Sequence, residues 1–124
     1  MVLIIGGAYQ GKLDFAKSTF GLSESDVFTC TGGEIDFSRR CIDRIEEFTL
    51  WCVQSGVDAV EFFRSRREQW RDSILICEDI SAGVVPMGAD MRAWRQMNGL
   101  LCRYLSGEAA QVGRLFCGLE ERLK

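Results

Sequence analysis

The chain has 124 residues, 47% of them hydrophobic and 27% charged, with a formal net charge of −3 at neutral pH. That length predicts a single domain spanning residues 1–124, and the acidic balance argues against a general nucleic-acid binder. No apolar stretch approaches the roughly 20 residues needed to cross a membrane, and with no basic segment ahead of the first apolar run a signal peptide is not expected.

An apolar run over 2–5 reads as a first strand. It is followed by Gly6, Gly7, Ala8, Tyr9, Gln10, Gly11, Lys12 and Leu13, which is the spacing G-x-x-x-x-G-K of a phosphate-cradling loop. The residue types suit that chemistry. Glycines let the backbone wrap around phosphate oxygens, and the helix that follows presents amide N–H groups to the anion. Lys12 adds a point charge for the β and γ phosphates. The hydroxyl residue that should come next, and that would ligate Mg²⁺, is replaced by Leu13, which cannot bind a metal.

A helix is expected over 12–20 and a short second strand over 27–30. Phe37, Cys41, Ile45, Phe48 and Cys52 recur at spacings of three or four, so the periodicity predicts one long helical region with a single apolar face. Gly56 breaks it, and a further helical stretch over 57–71 turns Val60, Phe63 and Trp70 inward while Arg64, Arg66, Arg67 and Arg71 form a solvated face. Residues 73–77 read as a buried parallel strand. A helix over 89–105 follows, with Met91, Trp94, Met97 or Asn98, Leu101 and Leu105 on its inner side. A last strand is expected over 112–119. Strands alternating with helices predict an α/β domain whose mainly parallel sheet is flanked by helices.

Glu78 and Asp79 close the 73–77 strand. An acidic residue at that place is what a phosphate-loop enzyme uses to hold Mg²⁺, directly or through water. Ligands for such a sheet lie beyond the carboxyl ends of its strands, where both the loop and the acidic pair are expected. Because Mg²⁺ keeps several waters, Glu78 or Asp79 could hold it without a ligand at position 13, in a weakened site.

The six cysteines, Cys30, Cys41, Cys52, Cys77, Cys102 and Cys117, contain no C-x-x-C pair. Their spacing suits neither a zinc site nor a secreted disulfide framework, and predicts reduced thiols in a cytoplasmic protein. The chain has no histidine, so the commonest general base and metal ligand is missing.

With these residues in place, the chain resembles the adenosylcobinamide kinase/adenosylcobinamide-phosphate guanylyltransferase family of cobalamin biosynthesis. Leu3-Ile4-Ile5-Gly6-Gly7-Ala8 with Gly11-Lys12 is similar to that family's opening strand and G-G-A-x-x-G-K loop. The stretch from Glu78-Asp79 through Gly83-Val84-Val85-Pro86 to Arg92, Trp94 and Arg95 is similar to its N-E-V-G-x-G-I-V-P segment and R-x-F-R continuation, with Asp79 on the family's glutamate. Gly118-Leu119 with Arg122-Leu123-Lys124 is similar to its G-L-P-x-R-L-K ending.

The resemblance implies a P-loop nucleoside-triphosphate-hydrolase-like fold and a cytoplasmic homo-oligomer that uses ATP or GTP with Mg²⁺. Its kinase activity phosphorylates the aminopropanol hydroxyl of a corrinoid, cobinamide. Its second activity passes GMP through a histidine-linked nucleotide, and this chain cannot form one. Other departures are Leu13, Tyr9 and Gln10 in the loop and a shortened middle. The expectation is therefore a kinase without histidine-route guanylyltransferase activity. Lys12 and the loop from Gly6 to Leu13 would hold the nucleotide, Asp79 or Glu78 the metal, and Arg92 or Arg95 the charge on the transferring group. The alternatives are a non-catalytic nucleotide- or anion-binding relative, and an interaction module presenting Trp51, Trp70, Trp94, Phe62 and Phe63.

Overall fold

The computed structural model describes residues 1–80 and 88–124; the segment 81–87, with the family-like Gly83, Val84, Val85 and Pro86, lies outside the described residues. The elements are β1 (Val2–Gly6), α1 (Lys12–Phe20), β2 (Val27–Thr29), β3 (Cys41–Asp43), α2 (Ile45–Ser55), α3 (Ala59–Ser65), α4 (Arg67–Trp70), β4 (Ile74–Glu78), α5 (Ala89–Glu108), β5 (Gln111–Phe116) and β6 (Leu119–Arg122). One sheet holds all six strands in the order β2-β3-β4-β1-β5-β6. Every pairing is parallel except β5 with β6.

β1 lies between β4 and β5 and is apolar on both faces. Alternation sends Leu3 to one side and Ile4 to the other, and both are buried. The connection from β1 to β2 runs along the sheet in one direction, and those from β3 to β4 and from β4 to β5 run in the other. Right-handed crossovers therefore put α1 on one face and α2 to α5 on the opposite face. Packing follows that division. Ala16, Leu13, Phe15 and Phe20 cover Ile4, Ile74, Ile76 and Leu115. Phe48, Phe63, Trp70, Leu101 and Leu105 cover Leu3, Ile42, Leu75 and Val112. The larger core is aromatic: the Phe63 ring meets Phe48 at 5.7 Å and Trp70 at 5.9 Å between centroids, and the Trp70 indole N–H donates to the Phe63 carbonyl at 2.7 Å.

Two expectations are corrected. Cys41, Ile42 and Asp43 are not the first turns of a long helix. They form β3, and helix begins only at Ile45. Phe37 and Cys41 fall on helical spacing by coincidence, because a three-residue strand buried on both faces has no alternation of its own to display. Pairing with β2 and β4 decides its conformation, and Arg44, at φ 60°, separates it from α2. Nor is 112–119 one strand. The chain reverses at Cys117 and Gly118, both at positive φ as a two-residue hairpin turn requires, and returns as β6.

Side-chain placement matches the periodicity in most places. Phe63, Trp70, Leu101 and Leu105 are buried, while Val60 and Trp94 are half-buried and Met91 is exposed. Of the arginines expected on a solvated face, Arg64, Arg67 and Arg71 are exposed. Arg66 instead lies over the Phe62 ring at 3.7 Å.

All six cysteines are free, and Cys30, Cys41, Cys52 and Cys77 are buried. Burial pushes the Cys30, Cys41 and Cys52 thiols up to about 12, whereas Cys117 is exposed at the hairpin turn. A disulfide-exchange reagent at pH 8 should therefore modify Cys117 first in the native protein. The fast phase should vanish in Cys117→Ser, and the buried thiols should react only on denaturation. A fast phase that persists in the variant would contradict this burial pattern.

Candidate functional site

The loop between β1 and α1 takes its shape from a close approach. At Gly6 a Cβ would sit 2.7 Å from the backbone carbonyl oxygen of Leu115 on β5, so only glycine fits without moving the sheet. The chain turns through Tyr9, at φ 60°, and reaches α1 at Gly11, at φ 81°. Gly11 offers no side-chain cap, so the first amides of the nine-residue helix face the loop uncapped. The Lys12 ammonium donates to the Gly7 carbonyl at 2.7 Å, which curls its side chain back across the loop.

The β5–β6 turn braces this loop from outside. Gln10 accepts from the Gly118 amide at its main-chain carbonyl, 3.1 Å away, and from the Cys117 amide at its side-chain oxygen. Among the described residues, the non-glycine positions at positive φ are Tyr9, Arg44 and Cys117. Each stands at the loop, at the brace or across the cavity described next. Left-handed backbone at non-glycine residues costs energy and concentrates at functional sites.

A cavity of about 490 Å³ opens beside the loop. Ala8 to Asp14 form one wall, and Asp43, Arg44, Glu46 and Glu78 form the other. Of the expected metal residues, Glu78 thus shares the cavity with Lys12. Asp79 is exposed and lines two neighbouring hollows, one of about 190 Å³ with Arg95 and one of about 290 Å³ with Arg114 and the loop residues Gly6, Gly7 and Gln10, so it meets the loop from its other side. The Asp79 amide donates to the Gly6 carbonyl at 2.7 Å, so its backbone helps shape the loop. Arg92 is exposed on α5. Neither Arg92 nor Arg95 is among the described residues that line the loop cavity.

Glu78 is held from behind by a buried polar network. Its amide donates to Glu46 Oε1 at 2.9 Å, and its carbonyl accepts from Asn98 Nδ2 at 3.1 Å. The Asn98 carboxamide oxygen accepts from the Thr49 hydroxyl at 2.8 Å and from the Cys77 thiol at 3.3 Å. The Trp94 indole N–H lies 2.9 Å from the Glu46 carbonyl and 3.0 Å from Thr49 Oγ1. α2 and α5 are thereby locked to the end of β4.

Sequence reasoning missed Asp43. β3 ends one residue beyond its Ile42–Leu75 pairing, whereas β4 continues to Glu78. Asp43 therefore lies about two residues, ~7 Å, deeper in the crevice than Glu78. It is only 7% exposed. Burial raises its pKa above the usual carboxylate range, with Glu46 adding repulsion, while the Arg44 amide and the charges of Arg44 and Lys12 oppose the shift. A signal was present: Cys41-Ile42 ends in Asp43 as 73–77 ends in Glu78, but the misassigned helix hid it.

No protein-family model matches the chain, and no curated protein matches it.

Two outcomes follow. Gly6→Ala should destabilise the fold by about 1–3 kcal/mol through overpacking, read as a lower urea midpoint, with Gly7→Ala much milder because its Cβ would meet nothing nearer than 3.8 Å. The second concerns pH. A carboxyl whose folded pKa is raised contributes stability below its unfolded pKa and loses it as pH rises through the folded value. Asp43→Asn should therefore raise the urea midpoint at pH 7. That gain should shrink as pH falls toward the ordinary carboxylate range; a midpoint lowered at pH 7 would contradict the burial cost.

Proposed function

We propose that the chain binds ATP or GTP at the Gly6–Lys12 loop and transfers the terminal phosphoryl group to a hydroxyl acceptor. The observation that supports it best is the juxtaposition of three features around one cavity. These are a glycine-rich loop closing a buried central strand, a lysine on the first turn of the following helix, and a carboxylate ending the adjacent strand. Phosphoryl transfer asks a protein mainly for positioning and charge. The uncapped amides of α1 and the Lys12 ammonium would hold the β and γ phosphates.

The fold supports this reading without requiring it. It is α/β with a mostly parallel sheet, and the loop leaves β1 where the crossovers change direction, the place where such sheets bind ligands. That it is specifically a P-loop nucleoside-triphosphate-hydrolase-like fold is part of the proposal. By the resemblance, the acceptor is the aminopropanol hydroxyl of cobinamide, in a cytoplasmic homo-oligomer; the free thiols support a reducing compartment. Guanylyl transfer by a histidine route stays outside the proposal, because the chain has no histidine.

The donor set fits a cation carried in by the nucleotide and not one caged by protein. Among the described residues, no group of three or more Asp, Glu, Cys or His side chains is placed to hold a metal. A single carboxylate suffices for Mg²⁺ that takes its other ligands from phosphates and water, and Glu78 is the residue that would hold it. When bound, that ion would neutralise charge on the β and γ oxygens.

A second reading, a nucleotide- or anion-binding protein without transfer activity, is favoured by one observation: Leu13 puts an apolar side chain on the cavity wall where a metal-binding hydroxyl is expected. Calorimetric titration with ATP and with GTP, each with and without Mg²⁺, separates the two. The kinase reading expects affinity to rise clearly with Mg²⁺ and Lys12→Ala to weaken binding at least tenfold with the fold intact by circular dichroism. Binding indifferent to Mg²⁺ supports the second reading, and unchanged affinity in Lys12→Ala removes both.

A further inference from the structure

We propose that Asp43 is the general base of the transfer, accepting the proton of the attacking hydroxyl; this rests on the kinase reading above. Three observations carry it. Asp43 ends β3, lines the same cavity as Lys12 and Glu78, and is nine-tenths buried there. The sheet also sets an order along the crevice. The loop leaves β1, Glu78 ends the next strand and Asp43 the one after, so Asp43 is two strand spacings, ~10 Å, from the loop strand. A base must stand on the far side of the phosphoryl group from the nucleotide, and Asp43 lies beyond Glu78 along the sheet, at that offset and at the floor of the crevice.

Its neighbours leave the role to Asp43. Glu46 also lines the cavity, but it is tied to the Glu78 amide and lies 3.6 Å from the Arg44 guanidinium. Asp14, on α1, is exposed. The cations facing Asp43 are Lys12 and Lys17 on α1 and Arg44 at the start of α2; the carboxylates on the cavity wall are Glu46, Glu78 and Asp14. A buried carboxyl between those sets is a stronger base than an exposed one, which suits proton abstraction from an alcohol.

The step balances. The acceptor oxygen forms a bond to the terminal phosphorus as the bond from phosphorus to the β,γ-bridging oxygen breaks. The hydroxyl proton passes to Asp43. The electron pair of the broken bond leaves on the nucleoside diphosphate, whose charge Lys12 faces, and Asp43 then returns its proton to water.

The test compares the full chain with Asp43→Asn and Asp43→Glu, using γ-labelled ATP and GTP with Mg²⁺ and cobinamide as acceptor, with label released to water counted alongside. Asp43→Asn should keep nucleotide affinity within about threefold and lose transfer by roughly 10²–10⁴-fold. Asp43→Glu should recover part of the rate. The wild-type rate should rise with pH as the carboxyl ionises, and that limb should be absent in Asp43→Asn. Transfer by Asp43→Asn within threefold of wild type overturns the inference, and so does a wild-type protein that binds nucleotide yet transfers to neither acceptor. If the wild type binds no nucleotide, the loop reading fails and takes the inference with it.

Discussion

The organisation of this molecule depends on how tightly β1 is enclosed. It is hydrogen-bonded to parallel partners on both sides, buried on both faces, and at its last residue presses against the carbonyl of Leu115 too closely for any side chain. A central strand held in this way can end only by turning out of the sheet. The turn delivers the chain to the first amides of α1, above the crevice that the crossover pattern opens. The loop's position is thus a consequence of sheet packing, and its glycines answer steric demands that exist whether or not a phosphate is bound.

The opposite wall of the crevice is built by different means. Glu46, Thr49, Cys77, Trp94 and Asn98 form a polar cluster inside an otherwise apolar interface between α2, α5 and β4. Among the described residues, no buried side-chain nitrogen or oxygen is left without a partner. Such a network fixes geometry more sharply than apolar packing, since each donor tolerates few alternative positions. It sets the Glu78 backbone, and through it the edge of the cavity, by contacts made behind the site except at Glu46, which also lines it. Asp43 differs: it is buried at some cost to the fold, with opposing charges around it. A residue kept at the expense of stability is a natural place to look for function.

Much of this is legible in the sequence, and the two misplaced elements share one cause. The loop, the 73–77 strand and the long helix beginning at Ala89 announce themselves because each has a pattern longer than its noise. β3 does not. Three residues buried on both faces carry no period, and Phe37 and Cys41 happened to extend the true helical spacing of Ile45, Phe48 and Cys52 backward. Missing that strand hid Asp43, since a terminal acidic residue gains meaning only once the strand it terminates is seen. The run 112–119 looks like one strand for a related reason: Leu115 and Phe116 continue into Leu119 with only Cys117-Gly118 between. The separation of Glu78 from Asp79 could not be read locally at all. Successive residues at a strand end point to opposite sides, and which side faces the loop is decided by where α1 packs.

The brace between Gln10 and the β5–β6 turn has a consequence for how the protein comes into being. Cys117 is synthesised more than a hundred positions after Gln10. A nascent chain therefore carries a complete loop sequence, while those intervening residues are made, without the turn that braces it. Closing so long a loop costs entropy that local contacts cannot offset, which places its final shape among the late events of folding. The loop is made well before its brace and finished only after it, and a partly made chain carries the loop's residues without its geometry.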